Sequence, residues 1–318
     1  MGRGILFVTT DQQRYDALGC NGGAIARTPV IDGLAAAGIR YERAHPQNVV
    51  CMPSRATMLT GQHVRNHGVW MNGVPLPAES ATVAGLLHDA GWRTSLFGKA
   101  HFEPLLDPFL RFPENRMGVT GDTDDDGKPH RGFEHMEFAG HGSGGPNHYG
   151  GWLRRNQPDH MGSFFPALGI DLEVNSEGGG ESGAPQVRHN PVPREVYHTD
   201  WVADRAISWL GGLDLDDDWF CWLSFPDPHH PWDPPASELN HKCVRMGAIV
   251  DEHMNVFHIE TVLNNRMYHD QLDFLGKNED DFSELDRMKL RATRWSTGKM
   301  PRAAKRAFFH NLPSPYEL

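Results

Sequence analysis

Three short apolar runs constrain the fold most: residues 5–8, 92–97 and 219–225, each bounded by glycine, proline or polar residues. Runs of this length read as strands buried on both faces. The second follows residues 80–90, where Val83, Leu86 and Leu87 share a helical face and Gly91 is the stop. The third follows a segment from Thr199 in which Val202, Ala203, Ala206, Ile207 and Leu210 share a face before Gly211. A further helix starts at Thr28 and Pro29, an N-cap and a first-turn proline, with Val30, Ile31, Leu34 and Ala37 at helical spacing and Gly38 as its end. Helices alternating with strands predict an α/β fold with a mostly parallel central sheet and helices on both faces. Open sheets of this kind keep their sites beyond the carboxyl ends of the strands. Here those ends carry Asp11-Gln12, Gly98-Lys99-Ala100-His101 and Asp227-Pro228-His229-His230-Pro231.

A helix start adds a fourth element to that rim. Cys51 lies just before an expected helix, with Pro53 and Arg55 following and Gly61 closing the segment. Free N–H groups and a partial positive charge at a helix start favour an anion, and Arg55 on the first turn can face the same point. Three readings of Cys51 stand side by side: an inert thiol, a thiolate nucleophile, or a modified residue. Catalysis by a thiolate wants a histidine and an orienting partner, and leaves the places of Pro53 and Arg55 unexplained.

Asp11 and Gln12 offer a carboxylate and an amide oxygen to a hard divalent cation, or a turn with a solvated amide. Lys99 and His101, two apart after a strand, could point at one anion or sit in a solvent-facing loop. His229, beside His230 between Pro228 and Pro231, could supply a proton to a leaving group or simply complete a turn.

Between residues 103 and 194 the periodicity fades into glycine, proline, acidic and histidine residues, and the expectation is a loop-rich insertion rather than core. Residues 1–235 then form one catalytic α/β domain, and 236–318 a segment of different pattern, with a possible helix over 253–275 and a basic stretch over 287–306. The basic stretch lacks interleaved aromatics and reads as a solvated tail. With 41 acidic against 30 basic residues and a formal charge of −11, the chain has no general attraction for nucleic acid or anionic membranes. Cys20, Cys51, Cys221 and Cys243 are too scattered for a disulfide framework and read as reduced thiols. Neither a leader nor a run of eighteen apolar residues is visible, so the expectation is a cytoplasmic protein.

Taken together, Cys51-Met52-Pro53-Ser54-Arg55 and the following Ala56-Thr57-Met58-Leu59-Thr60-Gly61 resemble the signature of the sulfatase family, in the alkaline phosphatase superfamily. Asp11-Gln12-Gln13-Arg14 is similar to the family's first metal-binding strand end, and Thr28 to Leu34 to its first helix. Gly98-Lys99-Ala100-His101 resembles its G-K-x-H element, and Ser224 to Pro231 its S-x-x-x-P-H-x-P element. The order is the family's.

The resemblance implies conversion of Cys51 to formylglycine by a formylglycine-generating enzyme, giving a hydrate whose hydroxyl attacks sulfur. It implies one divalent metal, calcium first, with manganese or magnesium as alternatives, held by Asp11, Gln12 and the modified Cys51. Arg55 and the metal would stabilise the nucleophilic oxygen, Lys99 a non-bridging oxygen, His101 would take a proton from the hydrate, and His229 would assist the leaving oxygen. The substrate would be a sulfate ester of a small molecule or carbohydrate. Gln12 departs from the family's paired aspartates. The family's later Asp-His or Asp-Asn pair is not found after Pro235, so the expectation is a chain truncated or altered at its C-terminus. The rival readings are a phosphodiesterase or phosphonate monoester hydrolase of the same superfamily, and a catalytically inactive fragment.

Overall fold

The structure is a computed structural model that describes residues 2–24, 26–104, 111–120, 130–140, 147–163, 192–229 and 234–235. All of them belong to one compact unit, Met1–His253. The segment 236–318, with its expected helix and basic stretch, lies outside the described residues.

Four strands form one sheet: β1 (Gly4–Thr10), β2 (Arg93–Gly98), β3 (His135–Phe138) and β4 (Trp219–Phe225). Their order is β1-β4-β2-β3, and every neighbouring pair is parallel. Ser224 is opposite Thr9 on one side and Gly98 on the other, so three carboxyl ends finish level. The described α-helices are α1 (Pro29–Ala37), α2 (Cys51–Thr60), α3 (Val64–His67), α4 (Val83–Asp89), α5 (Pro113–Thr120), α6 (His148–Asn156) and α7 (His198–Gly211).

Strand alternation builds two cores, because successive side chains point to opposite faces. Leu96, Phe220 and Trp222 pack with Met52, Ala56 and Leu59 of α2 and Ala84 of α4. Their sequence neighbours Phe97 and Cys221 pack with Tyr149 and Leu153 of α6 and Val202 and Ala206 of α7. Helices thus cover both faces of a parallel sheet, as the alternation of elements predicts. Trp222 anchors the first core against Phe7, Phe102 and Phe133, at ring-centroid distances of 5.0, 5.5 and 6.3 Å. Among the described residues no helix is long and apolar enough to cross a membrane.

One expectation is corrected. The stretch 103–194 contributes to the core, since it carries β3, α5 and α6, and Phe133, Met136, Tyr149 and Leu153 are fully or almost fully buried. Its strand is four residues long and mixes His135 and Glu137 with Met136 and Phe138, so it shows no apolar run. α1 forms as expected, but Val30 and Leu34 are 75% and 69% exposed, and no residue of that helix is buried. Spacing selects a helix and its apolar stripe; burial needs a partner surface, which the described residues do not supply here.

Glu137 ties the end of the sheet to α7. It accepts hydrogen bonds from Arg205 Nε at 2.6 Å and Nη2 at 2.8 Å, and pairs with His135 Nε2 at 2.9 Å. Burial pushes its carboxyl up, but His135 and Arg205 outweigh it and bring it down to about 2 from an ordinary 4.5. As pH falls, the unfolded chain therefore binds this proton first. The stabilisation is complete above the unfolded value and is lost on the way down to about 2. With Arg205 half exposed, solvent screening leaves roughly 1–2 kcal/mol. Glu137→Gln is expected to lose that amount at pH 6 and to show a shallower acid limb, read from urea unfolding midpoints across pH.

Candidate active site

Four segments bring the polar rim together. Asp11 directly follows β1, Lys99 and His101 follow β2, His229 follows β4, and Cys51 with Arg55 enters on the first turns of α2. Cys51 is the first residue of that helix, one position further in than the sequence suggests. Val50, the residue before it, provides no side-chain cap; the N–H of Met52 instead donates to Asn72 Oδ1 at 2.9 Å. Gly61 ends the helix in the left-handed conformation at φ 68, as expected from its place.

Lys99 is the centre of the arrangement. Its ammonium donates to Asp11 Oδ2 and lies 3.6 Å from Cys51 Sγ. Arg55 Nη2 is 3.8 Å from the same Asp11 oxygen, while Nη1 donates to the Lys99 carbonyl at 2.7 Å and to Ser224 Oγ at 2.9 Å. Ser224 Oγ in turn donates to the Lys99 carbonyl at 2.7 Å. The backbone of Lys99 is therefore held from α2 and from β4, and its N–H donates to the Ser224 carbonyl at 2.9 Å.

Asp11, Arg55, Lys99 and His101 are all buried. Burial alone raises the Asp11 carboxyl, but the charges of Lys99, Arg55 and His229 outweigh it and hold the group well below the usual carboxylate range. For Lys99, burial lowers and Asp11 and Cys51 raise; the net direction is up, so the amine stays an ammonium. His101 goes the other way, because burial and the cations Lys99 and Arg55 all oppose its protonation. The site thus holds two cations, one carboxylate and a neutral imidazole, an arrangement that attracts an anion and contains a base.

The backbone is unusual at two of these positions. Gln12 and His101 are non-glycine residues with φ of 58° and 60°. Left-handed backbone costs such residues on the order of 1–3 kcal/mol and persists where the surroundings impose it. Between β2 and Lys99 the chain needs Gly98, at φ 101°, where an added Cβ would lie 1.8 Å from the Ser224 carbonyl oxygen.

The donor groups give a test of the expected cation. Ligand atoms of Asp11, Cys51 and His229 lie within 4.8 Å of one another. Gln12 is adjacent in the chain but exposed. One buried carboxylate, an amide beside it and a group at position 51 fit the start of a site for a hard cation. Alone they fall short of the six or more oxygens that calcium takes. His229, expected at the leaving-group side, stands in the same cluster as Asp11 and Cys51.

Sequence reasoning missed Asn72, and it placed Ser224 and Asp227 in the stretch that closes the third strand without giving either a role. Asp227 binds His198 Nε2 at 3.2 Å and Thr199 Oγ1, and its carbonyl accepts the Asp11 N–H at 3.1 Å, so it ties the His229 loop to α7 and to β1. Strand alternation could have placed Ser224 on the same face as Trp222. No local signal marks Asn72.

The sequence profile described as Sulfatase matches residues 3–242. The chain is similar to the arylsulfatase of Clostridium perfringens, 29% identical over 244 residues, which are 73% of this chain and 44% of that protein. It is similar to the N-acetylglucosamine-6-O-sulfatase of Bacteroides thetaiotaomicron, 35% identical over 80% of this chain and 35% of that protein. Among solved structures, the phosphonate monoester hydrolase of Agrobacterium radiobacter matches with a TM-score of 0.50 and 26% identity, over 74% of this chain and 43% of that one. The chain spans less than half the length of each of these proteins.

Gly98 and Gly211 give a matched pair of substitutions. Gly98→Ala is expected to cost more than about 3 kcal/mol, since both its φ and the Ser224 carbonyl forbid the methyl. Gly211, the last residue of α7, has open space around it. Gly211→Ala should be neutral or gain up to about 1 kcal/mol, read from chemical denaturation midpoints.

Proposed function

The chain belongs to the sulfatase family, and on that premise we propose that it hydrolyses sulfate esters at the rim where Asp11, Cys51, Arg55, Lys99, His101 and His229 gather. The observation that carries this reading is the buried Lys99 ammonium, which is paired with Asp11 and 3.6 Å from Cys51 Sγ. A fixed positive charge beside position 51 is what an anionic ester needs there.

Cys51, converted by a formylglycine-generating enzyme, would supply the hydrate hydroxyl that attacks sulfur. Asp11 and Gln12, with residue 51, would hold one divalent cation, which supplies Lewis-acid stabilisation of oxygen charge; calcium suits the oxygen donors, and magnesium or manganese are the alternatives. Lys99 binds a non-bridging sulfate oxygen and stabilises the charge that grows there. Arg55, held by the Lys99 carbonyl and Ser224, adds positive charge beneath the same point. Once the alcohol has left, neutral His101 would take the proton of the second hydroxyl of residue 51, so that the carbon–oxygen bond to the transferred sulfate breaks, sulfate leaves and the aldehyde is restored. His229, on its proline-flanked loop, gives a proton to the ester oxygen as its bond to sulfur breaks and the alcohol leaves. The substrate class is a small-molecule or carbohydrate sulfate ester, which the two sulfatase names among its relatives support.

One observation favours a second reading. The similar structure from Agrobacterium radiobacter is a phosphonate monoester hydrolase, and Gln12 beside Asp11 suits that activity as well. The two separate by side-by-side turnover of an aryl sulfate and an aryl phosphonate monoester, using chain coexpressed with a formylglycine-generating enzyme and supplied with calcium. Faster sulfate hydrolysis is expected, with Cys51→Ala and Lys99→Ala each lowering kcat/KM by about a hundredfold or more. Faster phosphonate hydrolysis would make the second reading correct, and turnover of neither would make the chain catalytically inactive.

A further inference from the structure

Behind His101 lies a buried acidic cluster to which the proposed reaction gives no role. Glu103 and Glu114 are 3% and 6% exposed. Glu114, on the first turn of α5, accepts the Phe102 N–H at 3.0 Å. Its own N–H donates to Glu103 Oε2 at 2.9 Å, and the other Glu103 oxygen accepts from Arg131 Nη2 at 2.9 Å. Arg131 also binds the carbonyls of Leu76 at 2.7 Å and Pro77 at 2.6 Å, while the Leu76 N–H returns to the Phe102 carbonyl at 3.0 Å. The chain segment 101–103 is thus clamped from α5 and from the 76–77 loop.

Two features give the clamp a purpose. His101 and Arg131, at its two ends, both have left-handed backbone, at φ 60° and 56°, which a side chain other than glycine holds only with support. The His101 ring gets no such support from its Nδ1, which is buried without a hydrogen-bond partner. Ligand atoms of Glu103, Glu114 and His130 also lie within 4.8 Å of one another, the spacing of a cation site. Their carboxylate oxygens, however, already serve the N–H groups and the guanidinium named above, which explains why two acids are buried here without calling on a metal.

We propose that Glu114 is a positioning residue: its carboxylate, carried in by α5, holds the N–H of Phe102, the residue next to His101, and so fixes the left-handed turn that presents the His101 imidazole to the charged cluster of Asp11, Arg55 and Lys99. The catalytic consequence rests on the proposed sulfatase reading; the structural one does not. Displacement of a reacting group by about an ångström costs up to a hundredfold in rate, and the length of the residue 114 side chain sets that displacement.

The test uses the full chain with Glu114→Asp, which keeps the charge but shortens the reach, and Glu114→Gln, which keeps the reach but removes the charge. In Glu114→Asp, hydrogen exchange at the Phe102 amide is expected to speed up about a hundredfold while the Leu96 and Trp222 amides are unchanged. Its kcat should fall about thirtyfold with KM within about twofold. Glu114→Gln should recover most of both losses. The inference is overturned if the Phe102 amide exchanges as slowly in Glu114→Asp as in the unsubstituted chain, or if Glu114→Gln is as damaging as Glu114→Asp. Should the unsubstituted chain turn over neither ester, the proposed function fails, while amide exchange still decides the role of Glu114.

Discussion

The buried pairing of Lys99 with Asp11 is the constraint on which the site depends. Withdrawing charges from water costs several kcal/mol per ion, and one left alone inside a protein would shift its pKa and neutralise. Each group here is tolerated because the sheet brings the other to it. β1 ends in the carboxylate, β2 in the ammonium, and β4 lies between them, with Ser224 receiving Arg55 and touching the Lys99 backbone. The parallel register therefore acts as an electrostatic device: it aligns three strand ends so that opposite charges share a buried space.

Helix α2 completes the device from above the sheet. Met52, Ala56 and Leu59 bury one face of the helix in the core, which fixes the rotation of its first turn and places Cys51 and Arg55 over the rim. Arg55 contacts all three strand ends, through Asp11, the Lys99 carbonyl and Ser224. Packing on one side of α2 thereby sets charge on the other. The two left-handed residues, Gln12 and His101, show where the backbone bends to deliver polar groups into that space.

Much of this was legible in the sequence because strong local signals coincide with function. Apolar runs marked β1, β2 and β4, and glycine stops marked the ends of α2 and α7. The spacing within Cys51-Met52-Pro53-Ser54-Arg55 and Gly98-Lys99-Ala100-His101 pointed to one anion-favouring rim, and the structure brings Asp11, Cys51, Arg55 and Lys99 together there. The resemblance to the sulfatase family holds, since the matched profile covers residues 3–242. What stayed hidden depends on distant partners. β3 is short and mixed in polarity, so only pairing with β2 reveals it. The apolar stripe of α1 predicts a helix but not its exposure. Ser224 reaches Arg55 across 169 residues of sequence, and Asn72 reaches the α2 N-terminus across 20; no local pattern encodes either contact. Glu114 lies in the stretch expected to be a loop-rich insertion, and only the fold shows it on the first turn of α5 beside the 101–103 segment.

The account stands or falls on position 51, which the charged cluster surrounds and which carries the nucleophile in the proposed reaction. Mass analysis of the Cys51 peptide from protein that hydrolyses the sulfate ester tests it most directly. The account predicts the mass of an aldehyde in place of the thiol at position 51, with Cys20, Cys221 and Cys243 left as thiols. An unmodified thiol at position 51 in fully active protein would contradict it.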